Sequence, residues 1–279
     1  MQGAQAALLP DGRRLHLHHG PIDLVIEVFG PGRGAAYARL TKRFETLLGD
    51  LVVYLPELRG QKPCGDIPDL VAQRMIAAVA PFDQFITPMA AVAGSVADEM
   101  LSVIRADPQV SKAYVNNGGD VAFYLEAGQA IVAAAAGFGT ITIHADDPVR
   151  GMATSGWGGR SHSFGIADSV TVLAGTAAAA DAAATLIANA VDLPGHSGII
   201  RRPAHDLAPD SDLGARLVTV GVPPLSAPEK HAALARGQAV ARDFASRDLI
   251  IAAGLMLQGE TCVTDPARMP IAKKDPIHA

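Results

Sequence analysis

Residues 169–191 constrain the fold more than any other part of the chain, because they join a strand signal directly to a helix signal. Residues 169–174 are rich in β-branched side chains, and Thr176 after a glycine predicts a helix N-cap. The only formally charged residue of the stretch is Asp181, and almost all other side chains of the predicted helix are small or apolar. We therefore expect this helix to be buried.

A buried helix is an expensive place for the carboxylate of Asp181 unless a partner compensates its charge. Thr185 lies four residues later, one turn away on the same face of the predicted helix. Two hard oxygen ligands, one of them anionic, therefore converge and form a candidate site. The residues alone leave a simpler interpretation open, in which local backbone N–H groups or a neighbouring side chain satisfy Asp181.

Composition limits the class of protein and its partners. Apolar residues make up 49% of the 279 residues but aromatic residues only 5%, so Ala, Val, Ile and Leu must build the core. The net charge of −5 argues against nucleic acid or an anionic membrane as the main partner. Cys64 and Cys262 lie far apart, which predicts neither a disulfide framework nor a zinc site.

The chain shows no secretion signal and no unbroken apolar run of membrane-spanning length, which predicts a cytoplasmic protein without membrane contact. Its length fits one large domain, residues 1–279, in which residues 263–279 form a peripheral tail. An alanine-rich surface packs easily, so a homo-oligomer is compatible with the sequence.

Strand and helix signals occur in clusters rather than in strict β-α-β alternation. This favours an α+β fold with mostly antiparallel sheets packed against alanine-rich helices. Residues 151–160 are interpreted as a glycine-rich surface loop, residues 192–213 as a long loop, and residues 112–144 as a meander of strands. The predicted strands are 13–18, 22–29, 51–55, 112–115, 121–125, 130–135, 140–144, 169–174, 216–222 and 249–257, and the predicted helices are 35–48, 66–80, 89–104, an alanine-rich helix after residue 176, and 227–246.

Two further groups of potential metal ligands have simpler explanations. The histidines at positions 16, 18 and 19 fit the polar outward face of an edge strand. His144 and the aspartates at positions 146 and 147 fit a solvated turn at a strand end. A metal site remains the alternative interpretation of both groups.

The chain contains five short motifs at residues 90–98, 116–120, 152–156, 162 and 169–185. In this order they resemble motifs of the ApbE flavin transferase superfamily. Together they cover roughly residues 80–195, and their shared order is more specific than any one of them. The segments are Ala-Ala-Val-Ala-Gly-Ser-Val-Ala-Asp (90–98), similar to Gly-Ala-Ile-Ala-Lys-Gly-Tyr-Ala-x-Asp; Asn-Asn-Gly-Gly-Asp (116–120), similar to an Asn-x-Gly-Gly-Asp/Asn turn; Met-Ala-Thr-Ser-Gly (152–156), similar to an Ala-Thr-Ser-Gly strand end; His162, at the place of a family histidine; and Ser-Val-Thr-Val (169–172) with Ala-Asp-Ala-Ala-Ala-Thr (180–185), similar to a Val-x-Val strand and an Ala-Asp-Ala-x-x-Thr helix.

The resemblance implies an ApbE-like, T-fold-like structure and a magnesium-dependent enzyme whose small-molecule ligand is the nucleotide FAD. Members of the superfamily move the FMN half onto a threonine of a target protein or hydrolyse FAD. By the same resemblance, Asp181 and Thr185 would bind Mg²⁺, and His162 would be catalytic. The residues implied to contact the nucleotide are Asn117, Gly118, Gly119, Asp120, Ala91 and Ser155, with the N–H groups of the two glycines near a phosphate or ribose.

The chain differs from the superfamily at Ala93 and Gly94, one of which stands where the family has a lysine. This difference supports an alternative, a ligand-binding protein without catalysis that keeps the ApbE-like scaffold. A hydrolase with a Ser-His-Asp triad is disfavoured, because residues 156–160 contain no Gly-x-Ser-x-Gly motif.

Overall fold

A computed structural model describes residues 3–61, 67–106 and 108–269 of the protein. These residues form thirteen strands, seven α-helices and one 3₁₀ turn. The strands are β1 (Gln5–Leu8), β2 (Leu15–His19), β3 (Ile22–Phe29), β4 (Lys112–Asn117), β5 (Asp120–Leu125), β6 (Ala130–Ala135), β7 (Gly139–His144), β8 (Gly151–Ser155), β9 (Ser169–Ala174), β10 (Ile200–Pro203), β11 (Leu217–Gly221), β12 (Ala252–Leu257) and β13 (Glu260–Val263). The helices are α1 (Arg33–Val52), α2 (Leu55–Leu58), α3 (Leu70–Val79), α4 (Val92–Arg105), α5 (Ala177–Ala190), α6 (Ala204–Leu207) and α7 (Ala227–Ser246), with the 3₁₀ turn at Pro88–Ala91.

One large sheet organises these elements. Its nine strands follow the order β1-β2-β3-β4-β5-β8-β9-β12-β13, and every neighbouring pair is antiparallel. The β6–β7 hairpin and the β10–β11 pair form two small separate sheets. The expected α+β fold with antiparallel sheets is therefore confirmed.

The two faces of the large sheet are covered differently. Strand β3 alternates buried and half-buried residues along its whole length, the period-two pattern of a strand with one face on a core. Its buried side chains pack with those of α1, α3 and α4, and the alanine-rich α5 packs with α7 over β9 and β12. On the opposite face, the β6–β7 hairpin covers apolar side chains of β5, β9 and β12.

Two contacts place α5 against α4, and both use residues distant from α5 in sequence. A side chain at Gly94 would put its Cβ atom 2.3 Å from the Ala177 carbonyl oxygen, so only glycine permits this close approach. The Asp98 carboxylate accepts the backbone N–H groups of Ala177 and Ala178, at 3.1 and 2.9 Å. The predicted N-cap is confirmed, because the Thr176 hydroxyl accepts the Ala179 N–H.

Several predicted elements are wrong for identifiable reasons. Residues 51–55 do not form a strand, because the apolar spacing that ends with Leu47 and Leu51 extends α1 to Val52. Residues 151–155 are the buried strand β8 rather than a surface loop, since a sheet neighbour lies on each side of it. Residues 192–213 include the short elements β10 and α6.

The expected meander of strands ends after β5. The next two strands, β6 and β7, pair only with each other among the described residues, and β8 takes the place beside β5 in the large sheet. The many small residues of β6 and β7, which are Ala, Gly and Thr, do not show in the sequence whether the two strands join the large sheet or form a separate hairpin.

The chain after β13 is not uniformly peripheral. Met269 is fully buried, and its sulfur lies with the Phe138 ring over Gly254. Residues 270–279, Cys64 and the predicted helix start at residue 66 lie outside the described residues; α3 begins at Leu70 with Asp69 as its cap. Within the described ranges, no helix combines the length and apolar character needed to cross a membrane.

Candidate functional site

A cleft of about 660 Å³ opens where α4, α5 and the β4–β5 turn meet the end of β8. The loop of residues 156–168 and the loop of residues 208–213 complete its walls. Elements from widely separated parts of the chain therefore meet at this cleft.

Helix α5 presents a polar stripe to the cleft. Asp181, Thr185 and Asn189 are spaced by four residues, lie along one helix face and all line the cleft. The three side chains are half-buried, whereas most of the helix is fully buried. Asp181 and Thr185 were predicted from the sequence, but Asn189 was not. The spacing of four residues, continued once past Thr185, would have identified it.

The carboxylate of Asp181 lies at the bottom of the cleft. Its Oδ2 atom accepts the Gly94 N–H at 3.0 Å. A backbone N–H group thus satisfies part of the hydrogen-bonding capacity of this side chain, as the simpler interpretation of the sequence expects. Burial raises the pKa of Asp181 well above its usual value, and the charge of Asp120 raises it further; the N–H groups of Gly94 and Ala93 oppose the rise.

Asp120, the first residue of β5, provides the second carboxylate. Its side chain is 8% exposed, and its Oδ1 atom accepts the Thr154 N–H at 3.2 Å. Burial raises the pKa of Asp120 to about 7, against the effects of that N–H group and of the Arg160 guanidinium. A buried and a half-buried carboxylate, close enough to repel each other, thus line the same cleft.

The β4–β5 turn supports this part of the cleft. The Asn116 side chain accepts the Gly119 N–H at 2.8 Å, so that N–H is already used, contrary to the expectation that it approaches a phosphate. Asn117 is buried and donates from Nδ2 to the Ala93 carbonyl at 3.1 Å, which ties the turn to the start of α4. Its side chain is therefore a link within the protein rather than a wall of the cleft.

Gly118 makes room for a cationic side chain. Its φ angle is +64°, and a Cβ atom at this position would lie 1.5 Å from Nη2 of Arg160. The glycine therefore allows the turn to adopt a left-handed conformation and allows the guanidinium to lie against it. Both Gly118 and Arg160 line the cleft beside Asp120.

The remaining predicted contacts divide between cleft and core. Ser155 and His162 line the cleft. Ala91 does not, because its side chain is fully buried in the core under α5; its neighbours Ala90 and Ala93 line the cleft instead. The predicted cleft contact of Ala91 is therefore wrong. Residues Pro88–Ala91 form a 3₁₀ turn instead of the start of an α-helix, and this changes which side chains face the cleft.

Two aromatic side chains, Phe85 and Phe164, also line the cleft. The Phe85 and Phe164 rings have centroids 6.1 Å apart, and the Arg216 guanidinium carbon lies 3.5 Å from the Phe85 centroid. The Asn189 Oδ1 atom accepts the Phe164 N–H at 2.9 Å and the Ser163 hydroxyl at 3.0 Å. The last residue of the stripe therefore fixes the loop that carries one of the aromatic walls.

The other two groups of potential ligands are engaged in local structure. The Asp147 carboxylate accepts the His144 N–H at 2.7 Å within a turn, and His16 contacts Asp23 across the β2–β3 pair at 2.9 Å. In the part of the chain that the structure describes, no three or more His, Cys, Asp or Glu side chains group as a metal site. Any cation in the cleft would need hydroxyl, ligand or water oxygens in addition to carboxylates.

A protein-family model described as "AbpE bacteria" matches residues 6–263. The chain belongs to this family. The resemblance to the ApbE superfamily is thereby confirmed over nearly the whole sequence.

Individual relatives are more distant or cover less of the chain. A UPF0280 protein of Methanothermobacter thermautotrophicus is 40% identical over 117 residues, which are 38% of this chain and 43% of the relative. A UPF0280 protein of Methanopyrus kandleri is 37% identical over 131 residues, 43% of this chain and 48% of the relative. The chain thus spans less than half the length of these relatives. The crystal structure of the Pseudomonas stutzeri flavinyl transferase ApbE in its apo form has 14% identity and a TM-score of 0.49, over 95% of this chain and 97% of that one.

Proposed function

We propose that this protein is a magnesium-dependent, flavin transferase-like enzyme that binds FAD or a related nucleotide pyrophosphate in the cleft. The observation that carries the proposal is a pair of interacting carboxylates beside the hydroxyl of Thr185: Asp120, which is buried, and Asp181, which is half-buried. Membership of the ApbE-like family supports the flavin part of the proposal.

The donor set fits a hard divalent cation. Mg²⁺ prefers oxygen ligands and usually keeps water and substrate phosphate oxygens in its coordination shell, so it needs few protein ligands. Burial raises the pKa values of both carboxyl groups, and the charge of Asp120 raises that of Asp181 further, which means that the protein compensates negative charge poorly at this site. A cation would stabilise the ionised carboxylates, and Asp181 and Thr185 would hold it.

The residues around the carboxylates suit a reaction at phosphorus. Mg²⁺, when bound, neutralises charge on the pyrophosphate oxygens. Arg160, held against Gly118, supplies a second positive charge at the cleft wall. His162 lies in the same wall and would accept the proton of the attacking hydroxyl group.

The proposed reaction replaces one phosphorus–oxygen bond by another. The oxygen of water or of an acceptor threonine attacks the phosphorus of the FMN half and loses its proton to His162. The bond between that phosphorus and the bridging oxygen breaks, and AMP leaves with the bridging oxygen and the electron pair. The products are FMN and AMP, or an FMN phosphoester of the acceptor and AMP.

Titration calorimetry with FAD, with and without Mg²⁺, tests the binding step in the wild type, Asp181→Asn and Thr185→Val. We expect Mg²⁺-dependent binding that is weakened by at least about tenfold in both variants, since each removes one hard ligand. Chromatography of the mixture tests for AMP and FMN. Wild-type protein that binds no FAD in the presence of Mg²⁺ would refute the proposal.

A ligand-binding protein without catalysis is the second candidate. Gly94 packs so closely on Ala177 that no side chain fits at this position, and the family has a lysine in this segment. Binding of FAD with Mg²⁺, but without AMP release or transfer to a threonine peptide, would favour this second function.

A further inference from the structure

Asn189 occupies a position in the cleft that the chemistry at the carboxylates does not use. It lies eight residues after Asp181 on the same helix face, which at a rise of about 1.5 Å per residue places it about 12 Å along the helix axis. It therefore lines the same cleft about 12 Å from Asp181 along the helix axis.

The orientation of its side-chain amide is determined by its partners. The Phe164 N–H can only donate, so the atom that it contacts at 2.9 Å must be the carbonyl oxygen of the Asn189 side chain. The Ser163 hydroxyl donates to the same oxygen at 3.0 Å. Across residues 3–61, 67–106 and 108–269, the Nδ2 group has no hydrogen-bond partner, although the residue lines the cleft.

The surroundings of this amide favour a flat, apolar group. Phe164 donates its backbone N–H to Asn189, and its ring lies close to the Phe85 ring, with 6.1 Å between the two centroids. Met89 also lines the cleft. Aromatic and thioether side chains pack well against planar rings, whereas a lone polar donor beside them selects a ring with an acceptor at its edge.

We propose that Asn189 is a specificity-determining residue whose Nδ2 group donates a hydrogen bond to an acceptor on the edge of a heteroaromatic ring. The ring rests against Phe85 and Phe164, and a carbonyl oxygen or ring nitrogen of the ring faces the amide. The inference rests on the proposed function, because it assumes that the phosphate end of the same ligand lies at Asp120 and Asp181.

The substitution Asn189→Asp separates this role from a structural one. An aspartate keeps an oxygen for the Phe164 N–H and the Ser163 hydroxyl, but it replaces both amide hydrogens by a second acceptor. At pH 8 with Mg²⁺, we expect the Kd for FAD to rise at least about tenfold, because the acceptor then faces a carboxylate. The Kd for inorganic pyrophosphate, which has no ring, is expected to stay within about twofold of the wild-type value.

The variant Ser163→Ala is the matched control. It removes the hydroxyl that contacts Asn189 but leaves Nδ2 and the Phe164 contact intact, so the Kd for FAD is expected to change by less than about threefold. Equal weakening of FAD and pyrophosphate binding in Asn189→Asp would overturn the inference, as would unchanged FAD binding. Failure of the wild type to bind either compound with Mg²⁺ would instead refute the proposed function, and the inference with it.

Discussion

The substitution Gly94→Ala is expected to destabilise the protein through a single methyl group. The added Cβ atom would lie 2.3 Å from the Ala177 carbonyl oxygen and 2.5 Å from its carbon. Both atoms belong to the backbone of α5, so neither can move away as the end of a flexible side chain would.

The size of the effect follows from the required movement. Ordinary contact begins at 3.4 Å, so α4 and α5 must separate by about 1 Å or bend. Overpacking of this kind costs roughly 1–3 kcal/mol. Displacement of the Gly94 N–H from the Asp181 carboxylate adds about 1 kcal/mol. We therefore expect the free energy of unfolding to fall by about 2–4 kcal/mol.

Urea denaturation followed by far-ultraviolet circular dichroism measures this change. Gly49→Ala in α1 is a matched control, because nothing lies within 4 Å of the added Cβ atom. The same substitution is expected to stabilise there by roughly 0.5–1 kcal/mol, since alanine favours a helix over glycine. A Gly94→Ala protein within about 0.5 kcal/mol of the wild type would refute the packing argument.

Three further predictions concern the neighbours of this contact. In Asp98→Ala, the N–H groups of Ala177 and Ala178 lose their acceptor, so the free energy of unfolding should fall by about 1–3 kcal/mol in the same assay; an unchanged value would contradict the capping role. Asp120→Asn keeps an acceptor for the Thr154 N–H but removes a carboxyl group whose pKa is about 7 in the folded protein, above its ordinary value of 3.8. Because the folded state binds this proton more tightly, the contribution of Asp120 to wild-type stability falls as the pH rises from about 4 to 7. The melting temperature of the variant should therefore exceed that of the wild type at pH 8 in EDTA, and the difference should shrink towards pH 4. Thermal scans at both pH values test this expectation. Gly118→Ala should displace Arg160 and weaken Mg²⁺-dependent FAD binding measured by calorimetry, whereas equal affinity would show that the guanidinium needs no such space.

The sequence predicted the elements whose signals are local. The strand before Thr176 and the helix after it were predictable because a β-branched run, a capping residue and an alanine run follow one another. The sequence also predicted α7 over residues 227–246, where Ser226 and Glu229 form a capping box.

The elements that were missed depend on partners far away in the chain. Strand β8 consists of small residues, and only its two sheet neighbours make it a strand. The role of Asp98 as a cap for α5 cannot be read from its own helix, because its partners are about eighty residues away. Asp181 and Thr185 could be paired from the sequence because they share a helix. Asp120 was expected only through the family resemblance, as a nucleotide contact, and its place beside Asp181 depends on the sheet.

The strand order also determines when the site can assemble during folding. Strands β5 and β8 are neighbours although the β6–β7 hairpin lies between them in sequence, and β9 pairs with β12 across three intervening helices. Such pairings close long loops and form slowly, whereas hairpins such as β2–β3 close short ones. Asp120 starts β5, and Asp181 lies on the helix after β9, with β8 between those two strands. A chain that has formed only its local hairpins therefore lacks the β5–β8–β9 arrangement that brings the two carboxylates to one cleft.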